Sequence, residues 1–150
     1  MSLQNEINQL FSMSSGKNLQ SKIKEIGKKI KESDEKLISL EAWKIVGFTD
    51  SPTIPDDAVG EKEYYYFEKC RKAKDAFFEG DFETANSYLM QAKWDFDDWA
   101  LAHYLLGLVL LEQRKFKAAR DQFVQASYLE PFNHRPMAIM REVVFAVLRD

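Results

Sequence analysis

A period of thirty-four residues runs through the C-terminal half of this chain. Phe82 and Phe116, Ala85 and Ala119, Leu89 and Phe123, Ala92 and Ala126, and Ala73 and Gly107 are each 34 positions apart, small residue matched with small and large apolar with large apolar. A unit of this length is one supersecondary element that cannot bury its apolar face alone, so successive units must stack and share a core. A period near 34 is that of a helix–turn–helix unit, and it predicts an all-α fold built from helical hairpins.

Local signals divide the hairpins. Glu61 to Phe78 reads as a first helix, and Glu79-Gly80-Asp81 as the break, with a glycine suited to positive φ followed by an Asp suited to cap the next helix, about Phe82 to Lys93. The second pair spans about Trp99–Gln113 and Phe116–Tyr128 and stops at Pro131, which gives repeats of about 66–99 and 100–133. Gly107 costs about 1 kcal/mol of helix propensity against Ala, which points to close helix packing there. A further helix, 136–148, opens on a proline and reads as the start of another unit.

Upstream, Leu19, Ile23, Ile26, Ile30, Leu37 and Leu40 recur at steps of four and three once Ser33 is counted as a polar slot. They predict one long amphipathic helix from about Lys17 to Val46, within an N-terminal segment 1–46, with lysines and glutamates on its outer faces. Residues 47–60, with Pro52 and Pro55 among turn formers, read as a linker to the 61–150 domain.

The run Leu106-Gly107, Ala119, Phe123, Ala126 and Pro131, together with the period, resembles the tetratricopeptide repeat (TPR) family, over roughly Tyr66 to Asp150. The first repeat departs from that pattern, with Lys72 where Leu106 stands in the second, Ala73 for the glycine and Asp97 for the proline. The resemblance implies a noncatalytic protein-binding function, as adaptor, scaffold or chaperone, and a concave groove lined by the first helix of each pair. Carried over by register, that groove would hold Phe67, Cys70, Lys74, Phe77 and Phe78, then Leu101, Tyr104, Leu108, Leu111 and Glu112, then Arg135, Ala138, Glu142 and Phe145. Leu101, Tyr104, Leu105 and Leu108 stand where relatives that hold acidic chaperone tails carry a carboxylate clamp, so an apolar peptide or helix is the expected ligand. In surface character this is similar to the small bacterial secretion chaperones.

Other chemistry finds little footing. His103 and His134 have no second His or Cys at ligand spacing, and His103 reads as a satisfied core histidine. Asp95, Asp97 and Asp98 lack the glycine and closing glutamate of a calcium loop, and no glycine sits in a phosphate-cradling motif. No catalytic residue, metal or cofactor is therefore expected. A net charge of −3 gives no drive toward nucleic acid, and the interleaved glutamates make Lys28, Lys29 and Lys31 a solvated face. The longest apolar run, Leu101 to Leu111, is about half a bilayer span, so membrane insertion is not expected. With one cysteine and no apolar leader, the expectation is a cytoplasmic protein.

One alternative stays open at this stage. The upstream seam (Leu19, Ile23, Ile26, Ile30, Leu37, Leu40) and Val143 and Val147 could pack on the chain's own groove or on a second copy as a homodimer. The last helix is apolar around most of its circumference, so it is expected to need cover from a partner.

Overall fold

The computed structural model of the chain describes residues 2–44, 61–129 and 135–149, and these form eight helices with no strand among them. The order is α1 (Leu3–Leu10), α2 (Lys17–Lys31), α3 (Leu40–Lys44), α4 (Glu61–Phe78), α5 (Phe82–Asp95), α6 (Ala100–Glu112), α7 (Phe116–Leu129) and α8 (Arg135–Leu148). The 47–60 linker, Pro131 and His134 lie outside the described residues. From α4 onward the helices pack on one another in chain order, and α2 folds back against α8 with α1 against α2.

The two hairpin turns are built alike. At the first, the Asp81 amide donates to the Ala76 carbonyl at 2.9 Å and the Gly80 amide to Phe77 at 3.0 Å, with Gly80 at φ 87°. At the second, the Lys115 amide donates to Leu110 and the Arg114 amide to Leu111, both at 2.9 Å, with Arg114 at φ 61°. Both are Schellman endings, and the left-handed residues Gly80 and Arg114 are themselves 34 positions apart. Asp81 then caps α5 through its carboxylate, which accepts from the Thr84 amide at 3.1 Å.

Helix α6 is the centre of the array, with all but Leu101, Leu110 and Glu112 buried. It is apolar on every side because α4, α5 and α7 all pack on it. Gly107 sits at the tightest point: a methyl group there would lie 2.6 Å from Cε1 of Phe123, whose ring is fully buried. The N-terminus of α6 begins at Trp99, whose side chain makes no cap. The Tyr66 hydroxyl, reaching over from α4, accepts from the Ala102 amide at 2.8 Å instead. Its ring packs edge-on against Phe96 and Trp99, so Tyr66 in the aromatic run 64–67 is core, and burial raises its phenol pKa.

The N-terminal segment departs from the single long helix read from its spacing. α2 stops at Lys31, and after Glu32, Ser33 and Asp34 the chain is non-helical until α3. Short polar side chains compete for the backbone there, which ends the helix and shifts the register. Leu37 remains fully buried, but Leu40 is 46% exposed and is not a seam residue. An additional helix, α1, buries Leu3, Ile7 and Leu10. Leu19, Ile23, Ile26 and Ile30 are buried, and where α2 crosses α8 a methyl group on Gly27 would lie 2.7 Å from Cβ of Ala146 and 3.1 Å from its backbone carbon. This crossing corrects the expectation that α8 lacks cover within the chain. Val143 is fully buried and Val147 2% exposed, since α2 on one side and α7 on the other enclose α8, so neither valine is available to a second copy.

Two charged contacts brace this arrangement. Arg135 at the start of α8 donates to the carbonyls of Leu10 (3.5 Å), Phe11 (2.7 Å) and Met13, where α1 ends. The buried carboxylate of Glu6 on α1 receives Lys29 at 2.8 Å and Lys22 at 2.9 Å from α2. The hydrogen bond from Lys29, with a smaller one from Lys22, holds the Glu6 pKa below its ordinary 4.5 against the opposing effect of burial. A depressed folded pKa gives stability that is present above about pH 4.5 and is lost as the pH falls through the folded value. Acid titration of unfolding stability is therefore expected to show a loss below pH 4.5 that is smaller in Glu6→Gln, whose neutral amide cannot titrate. Parallel acid profiles for parent and variant would remove Glu6 from the brace.

Candidate functional site

The ends of α4 and α6, brought together by the two matched turns, hold a non-helical piece of the chain's own backbone. Glu112, in the last turn of α6 and only 8% exposed at its side chain, accepts from the amide of Leu37 at 2.8 Å and of Ile38 at 3.5 Å. Arg114, two residues on, donates to the carbonyl of Ser33 at 2.8 Å and of Glu35 at 2.7 Å. Its guanidinium is kept in place by the Glu112 carboxylate at 3.3 Å. A carboxylate taking amides beside a guanidinium giving to carbonyls reads a main chain irrespective of side chains.

Side chains of the held segment then fill apolar places. Leu37, Ile38, Ala42 and Trp43 are all buried to 1% exposure or less. The Trp43 ring lies 5.1 Å from Phe77 and 5.9 Å from Phe78, centroid to centroid, and the Tyr104 hydroxyl donates to the Ala42 carbonyl at 3.3 Å. Ser39 starts α3 by accepting from the Ala42 amide at 3.1 Å. The far side of the segment is lined by α1, where Gln4 donates to the Ile38 carbonyl at 3.2 Å and the Leu3 amide donates to the Glu35 carboxylate at 3.3 Å. A cleft of about 400 Å³ remains open beside it, lined by Ile38, Phe77, Phe78, Phe82, Glu112 and Arg114 among others.

Arg114 takes the left-handed conformation that Gly80 takes in the first turn, at a cost of roughly 1–2 kcal/mol for a residue with a side chain. Strain retained where a side chain makes two long-range bonds marks a position held for those bonds. One defect offsets the fit. The indole N–H of Trp43 is buried without a hydrogen-bond partner among the described residues.

Eight of the fourteen residues carried over as a peptide groove are divided by this packing. Tyr104, Leu108 and Leu111 are fully buried and Phe77 is 4% exposed, so none of the four offers a free contact surface in this arrangement. For Phe77 and Tyr104 the reason is Trp43 and Ala42 lying against them, and for Leu108 and Leu111 it is the position of α6 inside the array. Phe78 is 43% exposed at the rim of the open cleft, and Phe67, Lys74 and Phe145 are half-buried elsewhere. Phe67 packs 5.9 Å from Trp99. Cys70 is fully buried, and burial pushes its thiol pKa up, away from a reactive thiolate. His103 is 5% exposed with both ring nitrogens engaged, one with the Gln122 side chain at 2.9 Å and one with the Asp97 carbonyl at 2.8 Å. No cluster of His, Cys, Asp and Glu among the described residues has the geometry to hold a metal ion, and no helix among them is long and apolar enough to cross a membrane.

Comparison with known proteins adds no relative. No protein-family model matches the chain, and no curated protein or solved structure matches it. Three residues that sequence reasoning did not single out, Ile38, Trp43 and Arg114, complete the site. The available signal was the one aromatic residue, Trp43, near the end of a seam whose period had already broken at Ser33.

Proposed function

We propose that this chain is a noncatalytic protein-interaction module of the TPR type that holds a peptide segment across the ends of α4 and α6, and that its own residues 33–43 occupy the site in cis. The observation that carries this reading is the paired recognition of main chain by Glu112 and Arg114, with Trp43 seated on Phe77 and Phe78. The period of 34 and the matched Schellman turns support the family assignment. A partner whose non-helical apolar stretch leads into a short helical turn carrying an aromatic residue would engage the same contacts, entering from the open cleft beside Ile38 and displacing a resident segment whose indole N–H has no partner among the described residues.

The test uses a labelled synthetic peptide of residues 33–44 and the Trp43→Ala variant of the chain, whose resident segment is weakened while the groove is intact. The peptide is expected to bind this variant and raise its melting temperature, as a native-state ligand must. It should bind the parent far more weakly, and a peptide carrying Ala in place of Trp should fail with both. Leu37→Ala serves as a second host if the first variant folds poorly. Absence of binding to both hosts would refute the peptide-holding reading.

One observation favours homo-oligomerisation as a second reading. Met90 and Trp94 on α5 are 49% and 88% exposed, and Val124 and Tyr128 on α7, in the same register of the next unit, are 40% and 85% exposed. Exposed apolar residues repeated in register form a face suited to self-association. Under that reading the protein sediments as a dimer that Trp94→Ala with Tyr128→Ala dissociates, and a monomer at every concentration removes it.

A further inference from the structure

The seam between α2 and α8 carries a second feature, remote from the α4/α6 site. Two clefts of about 660 and 600 Å³ flank Ala146, and Lys24, Ala146 and Arg149 line both. The close crossing at Gly27 makes this place, because it sinks Ala146 between the helices and leaves Lys24 and Lys28 standing on either side of the glycine, with Arg149 one turn beyond the alanine. Leu19, Ile23 and Ile139 give the larger cleft an apolar floor.

The charges are unbalanced locally. Lys24, Lys28 and Arg149 are exposed and make no side-chain ion pair or hydrogen bond among the described residues. Among the described residues the nearby carboxylates are mostly committed: Glu25 to Lys22 at 3.6 Å and Lys29 at 3.1 Å, and Glu142 to Arg141 at 3.4 Å, which leaves Glu32 at the far rim. In a protein of net charge −3, three cations unpaired among the described residues, Lys24 and Arg149 at both clefts and Lys28 at the smaller, form a local site for negative charge beside Ala146.

We propose that this seam binds a short acidic segment of another protein, with carboxylates one helical turn apart and small apolar residues between them. Lys24 and Lys28 are themselves four residues apart on α2, so two carboxylates at that spacing meet both cations while an alanine or leucine between them reaches the recess over Ala146. The net negative charge of the whole molecule disfavours an extended polyanion such as nucleic acid or an anionic bilayer. A short segment in the cleft feels chiefly the cations within a Debye length of about 8 Å at physiological salt.

The experiment measures fluorescence anisotropy of a labelled Glu-Ala-Ala-Leu repeat peptide with the full chain at low and high salt. Binding that weakens with salt is expected, and the variant Lys24→Glu with Lys28→Glu should bind about tenfold more weakly or worse. A control with the same charge change elsewhere, Lys62→Glu with Lys117→Glu, should bind as the parent does, and circular dichroism checks that both variants fold. Equal losses in the two variants would assign the effect to net charge and overturn the proposal. So would an absence of peptide binding, or tighter binding to phosphatidylserine vesicles or to a single-stranded oligonucleotide than to the peptide.

Discussion

Replacing Trp43 with Ala is expected to destabilise the protein by about 3–5 kcal/mol, the range for removing a large aromatic side chain from a core. Trp43 is the largest fully buried side chain and the point at which the N-terminal segment enters the hairpin array. Its loss removes the ring contacts to Phe77 and Phe78, each worth about 0.5–1.5 kcal/mol beyond burial, and leaves Ala42 without the packing that brings its carbonyl to Tyr104. The open cleft lies close by, so water or a shifted Phe78 can fill part of the space, and the lower half of the range is the better expectation. The measurement is urea unfolding of parent and variant, with the slope compared as well as the midpoint. A change below about 1 kcal/mol would mean that Trp43 is not anchored on the hairpins.

The second large effect belongs to the α2 seam. Ile26 and Ile30 on α2, which packs against α8 and α1, are fully buried, and truncating either to Ala is expected to cost about 2–5 kcal/mol. Gly27 leaves no slack at this crossing, because Ala146 already stands where its side chain would be, so the helices cannot slide together to fill the voids. The double variant should therefore lose most of a small domain's stability, and thermal melting will show it. A double variant that melts with the parent would mean that α2 is solvated and α8 is covered by something else.

The hairpins were legible from the sequence because a repeat states each fact twice. Gly80 could be read as a left-handed helix end from its residue type, and Gly107 as a close approach from its cost in a helix, and the structure places both so. Arg114 in the same conformation could not be read, since an arginine carries no signal for positive φ and only its distance of 34 from Gly80 pointed to it. Gly27 carries the same signal as Gly107 but stands among lysines, which mark a solvated face. In the N-terminal segment the polar slot at Ser33 does not continue the four-three pattern, because α2 already ends at Lys31, and the additional helix α1 carries too short a pattern to stand out.

The candidate site was legible as a set of apolar residues but not as an occupied one. Tyr104, Leu108, Leu111 and Phe77 are apolar because they are covered, and an apolar helix face carries no mark of what covers it. What distinguishes a held segment is its main-chain bonding to Glu112 and Arg114, which depends on contacts between residues more than 70 positions apart and leaves no local pattern.

Hydrogen exchange at the amides of Leu37 and Ile38 tests the cis-occupied site most directly. Neither residue lies in a helix, and a free extended segment would exchange both amides at the rate of an unstructured chain. Because both donate to the Glu112 carboxylate and the side chains beside them are buried, protection in the range of the buried helix α6 is expected for Leu37, and somewhat less for Ile38 across its longer 3.5 Å contact. Glu112→Ala should abolish that protection while leaving α6 and α7 protected. Unprotected amides at 37 and 38 in the parent would place the segment off the hairpins and contradict the proposed site.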